Sequence, residues 1–204
     1  MSGLITLALD TAVGNGGLSL LRGNDVIGNV EKVSRTDELL VSIDCLLAEY
    51  AISIAEIRLI AVSVGPGSFT GIRVGIATAL GLKASIGARC VGVNAFDALR
   101  VAYPNEDVIV LPLGRGYYAL KDFSVDRPEI QITDEDELSQ ILNDRSSLRV
   151  ADYSETGFRE MKRSRICTEA HSTLIGQYAL AGGGSEEVEP VYIRRHKAVK
   201  RGSL

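Results

Sequence analysis

The chain has 204 residues, 46% of them hydrophobic and 24% charged, enough to bury a real core in one domain or two small ones. A formal net charge of −4 gives the whole molecule no attraction for a polyanion. The apolar runs break well short of the ~20 residues a membrane span needs, and no basic segment precedes the start MSGLITLALDT, so a cytoplasmic protein with no membrane partner is expected. Cys45, Cys90 and Cys167 are odd in number and far apart, which excludes a disulfide framework and a CxxC site and predicts buried, reduced thiols.

In chain order, LITLALD reads as a buried strand ending at Asp10, and GGLSLLRG as its hairpin partner across the turn at Gly14-Asn15-Gly16. Asp25 to Val33 supplies a third strand of an antiparallel meander. From Asp37 to Tyr50 the period becomes helical, with Thr36 as N-cap. Leu39, Leu40, Ile43, Leu46, Leu47 and Tyr50 share one arc, and Val41, Cys45 and Ala48 form a second, narrower apolar strip. Strand 58–64, a glycine-rich turn, a helix to about Ile86 and strand 89–93 then read as parallel strands with right-handed crossovers. Asn94 caps a helix through Ala102, and Tyr103-Pro104-Asn105 marks a boundary between lobes 1–103 and 104–204. Strands at 108–113, 117–125 and 148–152, helices at 134–143 and 169–181, and a strand-like VEPVYIR complete the chain.

The stretch VGPGSFTGIRVGIATALG carries the most information. It lacks the Lys and Ser/Thr of a Walker loop, since Ile72 and Arg73 follow Gly71, and it lacks the flanking glycines of a nucleophile elbow around Ser68. Two readings of the turn stay open: anion binding at the free N–H groups of Ser68 to Gly71, or plain turn chemistry with Ser68 or Thr70 as cap. Along the helix, Gly71, Gly75, Thr78, Ala79, Gly81 and Ser85 cover one side and Ile72, Ile76 and Leu80 another. A helix apolar all round is a buried one. Either the small side packs tightly within one domain, or the bulky ridge lies on the protein's own sheet while Gly71, Gly75, Thr78 and Ala79, with Val41, Cys45 and Ala48, meet a second subunit. A basic run, with Arg194, Arg195, Lys197, Lys200 and Arg201, offers phosphate contacts to a tRNA if a partner supplies the rest of the groove.

LALDT, DELLVSIDCLLAEY and GPGSFTGIRVGIATALGLK, in that order, resemble the bacterial TsaB (YeaZ) family, and EPVYIR resembles its closing Pro-x-Tyr-[LI]-Arg signature. The resemblance implies an α/β ASKHA fold (actin, sugar kinase, Hsp70-like) of two lobes with the second reduced. It also implies a non-catalytic role in making N6-threonylcarbamoyladenosine at position 37 of ANN-decoding tRNA. In that role the chain pairs with the catalytic paralogue TsaD, TsaE joins the complex, tRNA is reached through the complex, and a homodimer forms through the same N-terminal helices when TsaD is absent.

The chain departs from the family pattern at Arg35-Thr36-Asp37 and Leu113-Gly114-Arg115, so no small-molecule role is carried over to those positions. No metal is expected, because His171 and His196 are isolated where the catalytic relative pairs two histidines on one helix. Asp10 and Thr11, with Ser68, are the candidates for nucleotide, on the alternative that the chain is an ASKHA-type nucleotide-binding enzyme. Without a lysine in the first turn, the expectation is no cofactor, ATP being held at most weakly or at a composite site with TsaD. A peptidase is the third alternative and has no metal pair or serviceable triad to support it.

Overall fold

A computed structural model describes residues 3–33, 38–144, 150–152, 164–166 and 169–193. Three strands open the chain: β1 (Ile5–Asp10), β2 (Gly17–Arg22) and β3 (Asp25–Val30). They form the predicted antiparallel meander, closed by the turns at Gly14–Gly16 and Gly23, where positive φ suits glycine. Helix α1 (Leu39–Glu49) follows, then a single 3-10 turn at Ile54–Glu56 held by a capping box between Ser53 and Glu56. Thr36, read as the cap of α1, lies outside the described residues.

β4 (Ile57–Gly65), α2 (Phe69–Ile86) and β5 (Arg89–Asn94) supply the parallel half, giving a first sheet of order β3-β2-β1-β4-β5. β1, β4 and β5 run parallel, as the alternation of strand and helix predicted. Helix α3 (Ala95–Ala102) starts on Asn94, whose side chain accepts the Phe96 N–H at 2.9 Å. The second sheet, of order β10-β9-β6-β7-β8, is built from β6 (Val108–Gly114), β7 (Tyr117–Asp122), β8 (Ile130–Asp134), β9 (Val150–Asp152) and β10 (Ser164–Ile166). Helix α4 (Glu135–Asp144) covers its outer face, packing Leu138 and Leu142 on Val108, Val110 and Leu120. β10, three residues long, is too short to be read from sequence, and β8 offers only Ile130 and Ile132 in alternation.

The last helix, α5 (His171–Leu180), returns to the first sheet and packs on β1, β2 and β4. α5 and the segment after it thus pack on the first sheet, although they follow the second sheet in the chain. Residues 185–193 form a strap, not a strand. Ser185 exchanges two backbone hydrogen bonds with Gly92 on the edge of β5, and Val191 donates to Val64 O at 2.8 Å.

Residue alternation in the strands splits the core in two. On one face of the first sheet, Leu7, Leu9, Leu18, Leu20, Ile60 and Val62 pack under α1 and α2. On the other, Ala8, Leu21, Ala61, Val91 and Val93 pack with α3, α5 and the inner face of the second sheet. The first sheet is thus a wall between an open helical layer and an enclosed one. Cys90 is buried in the first of these cores, and burial pushes its thiol pKa up against the opposing pull of Lys83. Cys45, expected inside, is exposed on α1, while Cys167 lies outside the described residues.

Candidate functional site

β1 ends on a carboxyl group that the fold has already committed. Asp10 Oδ1 accepts the N–H groups of Ala12 and Val13 at 2.8 and 3.2 Å, and Oδ2 shares a 2.5 Å hydrogen bond with His171 Nδ1 at the start of α5. Both side chains are 2% exposed. Asp10, a candidate nucleotide ligand on sequence grounds, therefore shapes the first turn and ties it to α5. His171, read as isolated, is brought onto it across 161 residues. The pair is sealed from any substrate, which also removes it from a peptidase mechanism.

The turn that Asp10 shapes is the surface on which the glycine stretch sits. Thr11 Oγ1 donates to Gly71 O at 2.6 Å, and Ser68 N–H donates to Ala12 O at 2.7 Å. A Cβ on Gly67 would collide with the Ala12 carbonyl, one on Gly71 with the Thr11 carbonyl, and one on Gly75 with Thr11 Oγ1. Gly67 and Gly71 thus serve a close approach of backbone to backbone within one chain, and Gly75 makes room for the Thr11 side chain. Gly65, at φ +96°, supplies the bend that starts the turn. Ser68 Oγ accepts the Gly71 N–H at 3.2 Å and caps α2.

Beyond the cap lies a cleft of about 1000 Å³ between the lobes. Asn15, Ser68 and Thr70 line one side, and Arg115, Tyr117 and Tyr118 of the β6–β7 hairpin the other. Of the three nucleotide candidates only Ser68 reaches it; Asp10 and Thr11 face the protein. Among the described residues, no carboxylate lines the cleft. Among the described residues, no group of three His, Cys, Asp or Glu side chains converges as metal ligands would.

The second candidate surface is the outer side of α1 and α2. Both helices lie on the same sheet face, so their outer sides point the same way. On α1, Val41 is 61% exposed, with Cys45 and Ala48 beside it on the solvent side, as the second strip predicted. α2 differs from expectation. Gly71, Gly75 and Ala79 face inward onto the turn and the sheet, Thr78 is half-buried at the margin, and Leu80, assigned to the protein's own sheet, is 39% exposed. The outward stripe is Phe69, Arg73, Ala77, Leu80 and Ala84, with Gly81 alongside and nothing within 4 Å of a Cβ placed on it. Sequence reasoning missed this stripe because a helix apolar on every side does not reveal which side meets the sheet. The contact that decides it, Thr11 against Gly71, joins residues 60 apart.

α2 is long and apolar enough by composition alone to cross a membrane, with a mean hydropathy of 1.2 over its 18 residues. It buries only Gly71, Ile72, Gly75, Ala79 and Leu82 against the sheet. The rest of that apolar surface is what gives the outer face its character. The basic run with Arg194, Arg195, Lys197, Lys200 and Arg201 lies outside the described residues, as do Arg35, Thr36 and Asp37.

Residues 31–113 match the family model described as TsaD, tRNA N6-adenosine threonylcarbamoyltransferase. The chain is 39% identical over 80 residues to the tRNA threonylcarbamoyladenosine biosynthesis protein TsaB of Buchnera aphidicola, covering 38% of this chain and 36% of that protein. It is 38% identical over 84 residues to TsaB of Haemophilus influenzae, covering 40% and 36%. An uncharacterized protein of Mycobacterium leprae is 31% identical over 113 residues, 52% of this chain and 32% of its own. The chain thus spans about a third of the length of each of these curated relatives. In fold it is similar to YeaZ from Pseudomonas aeruginosa, with a TM-score of 0.60 at 17% identity over 93% of this chain and all of that one. The relatives named TsaB, the matched model and the shared ASKHA-type fold converge on one likeness: over the matched residues the chain is similar to the TsaB/YeaZ family.

Proposed function

We propose that this chain is the non-catalytic partner subunit of a complex that makes N6-threonylcarbamoyladenosine at position 37 of ANN-decoding tRNA in the cytoplasm. In this reading it pairs with TsaD, with TsaE joining, and forms a homodimer when TsaD is absent. The observation that carries the proposal is the outer face of α1 and α2: Val41, Cys45 and Ala48 beside Phe69, Ala77, Leu80 and Ala84, exposed on one side of the molecule. A contiguous apolar helical face of this kind is stabilised by another helical face across it. The relatives' names, which place them in tRNA threonylcarbamoyladenosine biosynthesis, and the matched TsaD model favour a partner from that pathway, and the inward-facing Asp10 and His171 support a role other than catalysis.

The chain's part in the reaction is to hold the catalytic subunit in its competent arrangement, a coupling carried by binding energy. No nucleotide is assigned to the isolated chain, and titration with Mg-ATP should release no heat. The direct test is reconstitution of tRNA modification with TsaD and TsaE, with and without this chain. Modification that needs the chain, together with no transfer by the chain alone, supports the proposal; full modification in its absence overturns it.

A further inference from the structure

At the N-terminal end of the outer face the stripe of α2 meets the C-terminal strap. Arg73 lies there in a fixed pose. Its guanidinium carbon sits 4.0 Å from the centroid of the Phe69 ring and 5.9 Å from that of Tyr192, and its Nε donates to Tyr192 Oη at 3.0 Å. The two rings lie 5.0 Å apart, inclined at 35°. Tyr192 is in turn held by its neighbour, since the Val191 N–H bonds Val64 O. Phe69 and Tyr192 remain 54% and 44% exposed.

A guanidinium group offers five N–H donors in one plane. Here one face lies over the Phe69 ring and Nε is engaged, which leaves the paired terminal nitrogens, Nη1 and Nη2, without a hydrogen bond among the described residues. Arg73 makes no ion pair among the described residues. A stacked, tethered arginine with its fork open is preorganised for a bidentate oxyanion.

Two macromolecules could bring one: a protein with a carboxylate, or an RNA with a phosphate. The surroundings favour the carboxylate. Along the outward stripe Arg73 is followed by Ala77, Leu80 and Ala84, and the next cation on the helix, Lys83, is ten residues on, roughly 15 Å away. Phosphate-tracking surfaces gather several cations, whereas among the described residues Arg73 is a single aromatic-flanked arginine at the end of an apolar face, the composition of a protein interface hot spot.

We infer that Arg73, held between Phe69 and Tyr192, is the polar anchor of the docking face and takes an Asp or Glu carboxylate of the TsaD-type partner in a bidentate pair. This rests on the partner reading proposed above. Docking would exclude water from the pair and strengthen it, and its fixed geometry would set the register of the helices.

The test is the affinity of the full chain for purified catalytic partner, by titration calorimetry, for wild type, Arg73→Gln, Arg73→Lys, Tyr192→Phe and Leu80→Asp. Arg73→Gln should weaken binding about 30-fold, Arg73→Lys nearly as much because the planar fork is lost, and Tyr192→Phe about threefold. Exchange of the Val191 amide should be unchanged in Arg73→Gln, which separates loss of the fork from release of the strap. Affinity within twofold of wild type for Arg73→Gln, full rescue by lysine, or faster exchange at Val191 in step with the lost affinity overturns the inference. So does a variant that keeps partner affinity but loses binding of a tRNA transcript, which would identify a phosphate instead. If Leu80→Asp abolishes binding while Arg73→Gln does not, the docking face stands and only the anchor fails. If the wild-type chain does not bind, both fall.

Discussion

α2 and α5 cover opposite faces of one sheet and are buried to very different degrees. α5 buries seven of its ten residues, among them His171, Ser172 and Thr173, whereas α2, with only two charged residues, buries five of eighteen. Polarity alone would order them the other way. The difference comes from what stands behind each helix. α5 is enclosed by the sheet, α3 and the second lobe, so its polar groups are paired internally: His171 with Asp10, and Ser172 and Thr173 with Ser19 at 2.8 and 2.9 Å. Among the described residues, only Tyr192 of the C-terminal strap packs on the outer side of α2. The apolar surface left there is the surface that the proposed partner would cover.

That contrast can be broken by substitution. The largest effect is expected where α2 meets its own chain: Gly71→Val would drive a side chain into the Thr11 carbonyl and should cost about 4 kcal/mol by urea denaturation. A near-neutral result would mean that the small stripe is not the inward one. On the enclosed side, His171→Ala removes the partner of the buried Asp10 carboxyl and should cost about 3 kcal/mol, read the same way. The smallest effect has the opposite sign. Gly81 lies on the open side of α2 with no atom near a Cβ, so Gly81→Ala should stabilise the isolated chain by about 0.5 to 1 kcal/mol in thermal melts.

Much of this architecture was legible in the residues. Alternation and β-branching gave β1 to β7 and β9, the 3.6 period gave α1 with its two apolar strips, and Asn94 announced α3. What could not be read depends on contacts between distant residues. The Asp10–His171 pair needs α5 to return across the sheet, and the orientation of α2 is fixed by Thr11 and Ala12 against Gly71 and Gly67. The glycines were correctly read as a sign of close approach, but sequence could not say to whose backbone. Of the expected interface residues, the α1 strip Val41, Cys45 and Ala48 lies outside, while Gly71, Gly75 and Ala79 lie within; Phe69, Arg73 and Leu80 take their place on the surface.

The central claim is that the outer side of α1 and α2 is a docking face, and it is tested most directly by placing charge on it without touching the core. The Val41→Asp, Leu80→Asp double variant should keep the melting temperature of the wild-type chain within a few degrees, since both side chains are already in solvent. In sedimentation velocity with the catalytic partner it should lose complex formation by about 100-fold or more in affinity. Undiminished complex formation by this variant would contradict the account.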